Sequence, residues 1–139
     1  MNYVCGFAFG EEYSRVALVL KNRPDFLKGK YNGIGGKIDD GENPEKAMVR
    51  EFQEETGCIT TLDDWNYFGE LSFSGGVVRF YNALLDSDSF NSIRTVEDEE
   101  IQIVSVDAAL YQLPLDIHAR DFLMFAMRDD IEFIELTVK

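Results

Sequence analysis

Apolar residues fall in short runs along this chain, and their period changes from one segment to the next. Residues 3–9 (Tyr-Val-Cys-Gly-Phe-Ala-Phe) and 15–21 (Arg-Val-Ala-Leu-Val-Leu-Lys) are almost continuously apolar and are separated by Gly10-Glu11-Glu12. They predict two buried strands joined by a turn. Residues 22–43 are rich in Gly, Asn, Asp and Lys and carry Pro24, which predicts a long loop, a class of segment that is usually functional or mobile. A helix is predicted over 44–56: Asn43 is a good N-cap, Pro44 suits the first helical position and Gly57 stops the helix. Met48 and Phe52 give it an apolar face beside Ala47. Strands over 66–73 and 77–85 flank Ser74-Gly75-Gly76, the pattern of a hairpin. Polar residues 86–98 predict a loop, alternation over 101–106 a strand, and 107–111 a short helix. An amphipathic helix over 117–128 carries Phe122, Leu123, Phe125 and Ala126, and 131–138 reads as a last strand. The mixture predicts a sheet flanked by helices, in the α/β or α+β class. With 139 residues and no repeat or linker, one domain over 1–139 is expected.

Composition narrows the chemistry. Formal net charge is -13, which weighs against broad binding to long nucleic acid or to an anionic membrane. No apolar run reaches the roughly 18 residues that span a bilayer, and the N-terminus lacks the pattern of a signal peptide; a cytoplasmic protein is expected, as a monomer or a homodimer. Cys5 and Cys58 are too few for a disulfide framework and read as buried thiols. A single histidine, His118, cannot build the nitrogen-rich site that zinc prefers. Any metal has to be a hard cation bound by oxygen.

Glu51, Glu54 and Glu55 stand at i, i+3 and i+4 and so share one face of the predicted helix. Glu51 and Glu55 are a like-charge i,i+4 pair, and carboxylates near the last turn oppose the helix dipole. Such a face is either solvated, as charge runs usually are, or compensated by a cation. Oxygen ligands without His or Cys suit Mg²⁺ or Mn²⁺. The preceding Gly33-Ile34-Gly35-Gly36 allows a backbone to approach a phosphate or a metal closely, or forms a plain tight turn.

From Gly36 the chain reads five residues, Glu42, seven residues, then Arg50-Glu51-Phe52-Gln53-Glu54-Glu55-Thr56-Gly57-Cys58. This resembles the signature of the Nudix hydrolases, with every Gly, Glu and Arg position matched and Phe52 and Cys58 standing where aliphatic residues are commoner. The resemblance implies an α/β/α sandwich with a mixed sheet and a metal-dependent hydrolase that splits a pyrophosphate linkage. It implies that Glu51, Glu54, Glu55 and the carbonyl of Gly36 hold Mg²⁺ or Mn²⁺. It also implies that Arg50 orients a glutamate, that Glu42 braces the loop, and that Glu54, or failing it Glu51, is the general base. A later acidic residue often completes such a site, and within Glu97–Glu100 the expected one is Glu100, just before the 101–106 strand.

The segment Tyr31-Asn32-Gly33 also resembles the MutT-like branch that includes the oxidised-purine triphosphatases. That resemblance gives Asn32 a base-reading role, against its alternative as a turn former. The same branch reads the base near its C-terminal helix, where Asp116–Asp121 carries no Trp. Arg23, Lys37 and Arg79 are expected phosphate or base contacts, each with an alternative as ordinary solvated charge. The expected activity is hydrolysis of a nucleoside triphosphate, modified ones included, to monophosphate and pyrophosphate. The alternatives are dinucleoside polyphosphates, nucleotide sugars or a capped RNA end as substrate, or a non-catalytic nucleotide sensor.

Overall fold

In the computed structural model, which describes residues 1–139, the first apolar run forms β1 (Asn2–Gly10), buried from Val4 to Gly10. It is apolar throughout because both of its faces are covered: Val4 and Ala8 join one core cluster, Cys5, Phe7 and Phe9 the other. One edge of β1 runs parallel to β6 (Gly76–Leu84). Its other edge is shared. β2 (Arg15–Leu20) pairs with it over Ala8–Gly10, and β4 (Ile34–Lys37) pairs with it over Tyr3–Gly6. The sheet therefore forks, with β1 and β2 joined only near their connecting turn.

The chain crosses that fork at Gly33. β3 (Tyr31–Asn32) pairs with β2 at Val19 and Leu20, and β4 follows on the edge of β1. The outer edge of β2 carries β7 (Glu100–Ser105), while β5 (Asn66–Phe73) joins β6 in the expected hairpin and takes β8 (Ile134–Thr137) in parallel on its far side. The result is a mixed sheet of eight strands.

Helix α1 (Pro44–Thr56) covers one face, burying Ala47, Met48, Phe52 and Thr56. Asn43 Oδ1 accepts from Glu45 N (2.9 Å) and Lys46 N (3.2 Å), and Gly57, at φ 74°, donates to Gln53 O (2.8 Å). Phe52 meets Trp65 edge-on at 5.1 Å. The opposite face carries α3 (Val106–Tyr111) and α4 (Ile117–Phe125), where Phe122 stacks on Phe80 at 3.8 Å. No helix is long and apolar enough to cross a membrane.

Four expectations need correction. Residues 22–43 hold β3, β4 and a 3-10 turn (Asp25–Leu27) rather than a plain loop, because their strands are short and glycine-rich and take their order from the edges of β1 and β2. Residues 86–98 contain α2 (Ser87–Asn91), capped by Asp86 and anchored by buried Phe90. The helix expected to reach 128 stops at Phe125, and the last strand is confined to Ile134–Thr137, where β5 offers partners.

Phe122 has no exposed surface. Phe122→Ala should cost about 3–5 kcal/mol in urea unfolding, the range for truncating a large buried aromatic. A loss below about 1 kcal/mol would show that α4 contributes little to holding the second core.

Candidate active site

Arg50 organises the exposed flank of α1. Its Nε and Nη2 donate to the two oxygens of Glu42 (2.8 and 2.9 Å), a bidentate clamp that holds the Glu42 carboxyl below its ordinary value. Glu42 Oε1 also accepts from Asp39 N (3.0 Å), which closes the acidic turn, and Arg50 Nη2 reaches Lys37 O (3.2 Å). The remaining nitrogen, Nη1, donates to Glu51 Oε1 (3.0 Å) and to Glu54 Oε2 (3.2 Å). One guanidinium thus ties together the loop, the end of β4 and two glutamates.

Glu55 receives nothing from Arg50. Its Oε2 is buried without a hydrogen-bond partner. Burial, then the Glu51 charge, push the Glu55 carboxyl up to about 8, with Glu97 and Glu99 adding to the rise and Lys21 opposing it. Burial also raises Glu51, against the pull of Arg50. Gly36 lies directly over Glu51: a Cβ there would fall 2.7 Å from the Glu51 carboxyl and push it aside.

The acidic segment after α2 is tied to the end of α1. Arg94 N donates to Thr56 O (3.0 Å) and Val96 N to Glu55 O (3.3 Å). The Arg94 guanidinium packs against the Cα of Gly57, bringing a cation to the C-terminal end of a helix whose last turn has none of its own. No three His, Cys, Asp or Glu side chains converge as a ready cage; the carboxylates form an open face bridged by Arg50.

Beside this face a cavity of about 740 Å³ opens in the fork of the sheet. Asn32, Gly36 and Lys37 line it from the crossing segment, Lys21 from the end of β2, and Asp116 from the start of α4. Asn32 Oδ1 is occupied: Gly33 N donates to it (2.8 Å) and so does Cys5 Sγ (3.7 Å). Burial pushes the Cys5 thiol well above its ordinary value, so it stays neutral and is no ligand for a hard cation.

The NUDIX domain profile matches residues 2–125. The chain belongs to the Nudix family. An oxidized purine nucleoside triphosphate hydrolase of Danio rerio is 44% identical over 59 residues, 42% of this chain and 36% of that protein. The chain thus aligns with well under half of that curated relative's length. Among solved structures, one from work on MutT of Aliivibrio salmonicida and Vibrio cholerae superposes with a TM-score of 0.72 at 21% identity, covering 91% of this chain and 94% of the other. The NUDIX domain of Shewanella oneidensis NrtR, complexed with ADP ribose, gives 0.75 at 18% identity, covering 91% and 85%. At these identities the superpositions establish a shared fold.

Within this Nudix fold, Gly36, Arg50, Glu51, Glu54 and Glu55 come together as one face, and Asn32 and Lys37 line the adjoining cavity. Three expected residues lie apart from them. Glu100 opens β7 opposite Leu20 with an exposed side chain, and the charges of its run that bear on Glu55 are those of Glu97 and Glu99. Arg23 is exposed and paired with Asp98 (2.6 Å). Arg79 stands opposite Glu70 on β5, beside Tyr67 and Tyr81. The sequence reading missed Lys21, whose only signal was a charge ending an apolar strand.

The folded value of Glu55 lies above its ordinary 4.5, so the native state favours the neutral acid. Its contribution to stability is complete below about pH 4.5 and is lost as pH rises to about 8. In EDTA, wild type should therefore lose stability relative to Glu55→Gln across that window, read as melting temperature against pH. Parallel curves would mean that Glu55 is not the strained carboxylate.

Proposed function

We propose that this Nudix domain hydrolyses nucleoside triphosphates to the monophosphate and pyrophosphate, with Mg²⁺ or Mn²⁺ held on the carboxylate face of α1. The observation that carries this reading is the buried, partnerless oxygen of Glu55 on a face of carboxylates, with the Gly36 backbone packed directly against Glu51. An all-oxygen set of this kind suits a hard divalent cation. When bound, such a cation neutralises phosphate charge and acidifies a water molecule.

The chain's own residues divide the remaining work. Glu51, Glu55 and the Gly36 carbonyl would hold the cation, and Glu97, whose charge acts on Glu55, would add a third carboxylate. Glu54, with a side chain 48% exposed and restrained by Arg50, accepts the proton of the attacking water. Arg50 keeps Glu51 and Glu54 from swinging away, and Glu42 keeps Arg50 in place. Lys21 and Lys37 meet the phosphate chain where the cavity joins the carboxylates.

The cavity takes the nucleoside. With its Oδ1 already engaged, Asn32 offers its amide hydrogens to an acceptor on the base. Asp116 uses Oδ2 to cap Ala119 N (3.2 Å) and offers its other oxygen to a donor. A base edge with adjacent acceptor and donor matches this pair. A nucleotide substrate supports a cytoplasmic location, for a monomer or a homodimer.

The test is a panel of nucleoside triphosphates, dinucleoside polyphosphates and nucleotide sugars, assayed with Mg²⁺ for pyrophosphate and phosphate release. Triphosphates should be split to monophosphate and pyrophosphate; turnover confined to another class would overturn the reading. Glu54→Gln should slow turnover by about 10² to 10⁴, the usual range for loss of a general base. A folded variant with near wild-type kcat at saturating Mg²⁺ would remove Glu54 from that role. Asn32→Ala should raise KM for the preferred base by about tenfold, in line with the 1–3 kcal/mol of an unsatisfied buried group, and narrow the spread among bases. An unchanged rank order and spread of kcat/KM would leave Asn32 as a turn residue.

A further inference from the structure

We propose that Glu99 is a positioning residue that holds Lys21 at the mouth of the cavity so that its ammonium meets the substrate's phosphates. The inference rests on the proposed function above and adds a residue to it. Glu99 is the one acidic residue among the buried side chains, 7% exposed. Its Oε1 accepts from Lys21 Nζ and its Oε2 from the backbone N of Asn22, both at 2.8 Å. Both oxygens are therefore engaged on the β2 side.

Lys21 has reason to move if it is not held. It lines the cavity, and its charge acts on Glu55 and on Cys5. A lysine is a point charge on a flexible stem. Left free, its stem would let the ammonium swing out of the cavity mouth into water. Glu99 draws it the other way with one hydrogen bond and leaves two ammonium hydrogens for phosphate oxygens. Holding the stem also lowers the rotamer entropy lost when substrate binds. Lys37 and Lys139 line the same cavity without an ion pair, and the neighbouring Arg23 is turned to Asp98. Lys21 is thus the cavity cation whose position is fixed in advance. Fold stability alone does not require the arrangement, since a partly buried ion pair is commonly no better than a packed apolar pair.

Glu99→Gln separates the roles, because the amide oxygen can still accept from Asn22 N while the charge that attracts Lys21 is gone. Two measurements are compared in wild type, Glu99→Gln, Lys21→Met and the double variant: steady-state hydrolysis of a nucleoside triphosphate over a range of Mg²⁺, and calorimetric binding of its α,β-methylene analogue in EDTA. Glu99→Gln should weaken analogue binding and raise KM by about tenfold each, with a smaller change in kcat. Half-maximal Mg²⁺ should not move. Lys21→Met should give the same loss, and the double variant should be no worse within about twofold. Should Glu99→Gln not fold, Glu99→Asp, which keeps the charge one methylene short, should give an intermediate loss. Unchanged analogue binding in the folded Glu99 variant would overturn the proposal, as would losses that add in full or a shift confined to the Mg²⁺ requirement. A wild type that neither binds the analogue nor hydrolyses nucleotides would overturn the proposed function along with it.

Discussion

The constraint on which this molecule turns is an imbalance of charge along α1. Arg50 spends two of its nitrogens on Glu42 and shares the third between Glu51 and Glu54. Nothing is left for Glu55, whose carboxyl is buried with one oxygen unpartnered and feels the charges of Glu51, Glu97 and Glu99, opposed by Lys21. A helix carrying such a face cannot draw its stability from surface charge. It draws it from Asn43 and Gly57 at its ends, from Arg94 behind the last turn, and from Met48 and Phe52 against the sheet. In the proposed function, the strain that would weaken an ordinary helix is the source of affinity for a cation, a local cost of the kind functional sites carry.

The fork in the sheet places that face beside a cavity. If β1 and β2 paired along their full length, no room would remain between them. Instead the crossing segment borrows their free edges and sets Asn32 on one side and Gly36 on the other. Gly35 makes the crossing tight, since any Cβ there would overlap the Val4 carbonyl. The distance between the cavity and the carboxylate face is therefore set by strand pairing rather than by a mobile loop.

Much of this was legible in the residues. The caps of α1, the run of glutamates and the spacing from Gly36 to Cys58 are local signals, and they specified the helix and its carboxylate face. β4 was not legible, because Ile-Gly-Gly-Lys has little intrinsic preference for a strand and is ordered by the edge of β1. The acidic run was ambiguous for another reason. Glu97, Glu99 and Glu100 are equivalent as sequence, and only the fold buries Glu99 against Lys21 and Asn22 while leaving Glu97 and Glu100 exposed. Lys21 was hidden by its position at a strand end, where a lysine is ordinarily solvated; its partner Glu99 lies 78 residues away. Long-range partners of single charges are what a linear pattern does not carry.

The central claim is that the face formed by Glu51 and Glu55 is relieved by a divalent cation. The direct measurement is the melting temperature with and without Mg²⁺ for wild type and for the Glu51→Gln, Glu55→Gln double variant. A ligand that binds only the folded state stabilises it by mass action. Mg²⁺ should raise the wild-type melting temperature clearly, while the double variant, already relieved of its repulsion, should start higher and respond little. Equal shifts in the two proteins would contradict the account and place the metal elsewhere.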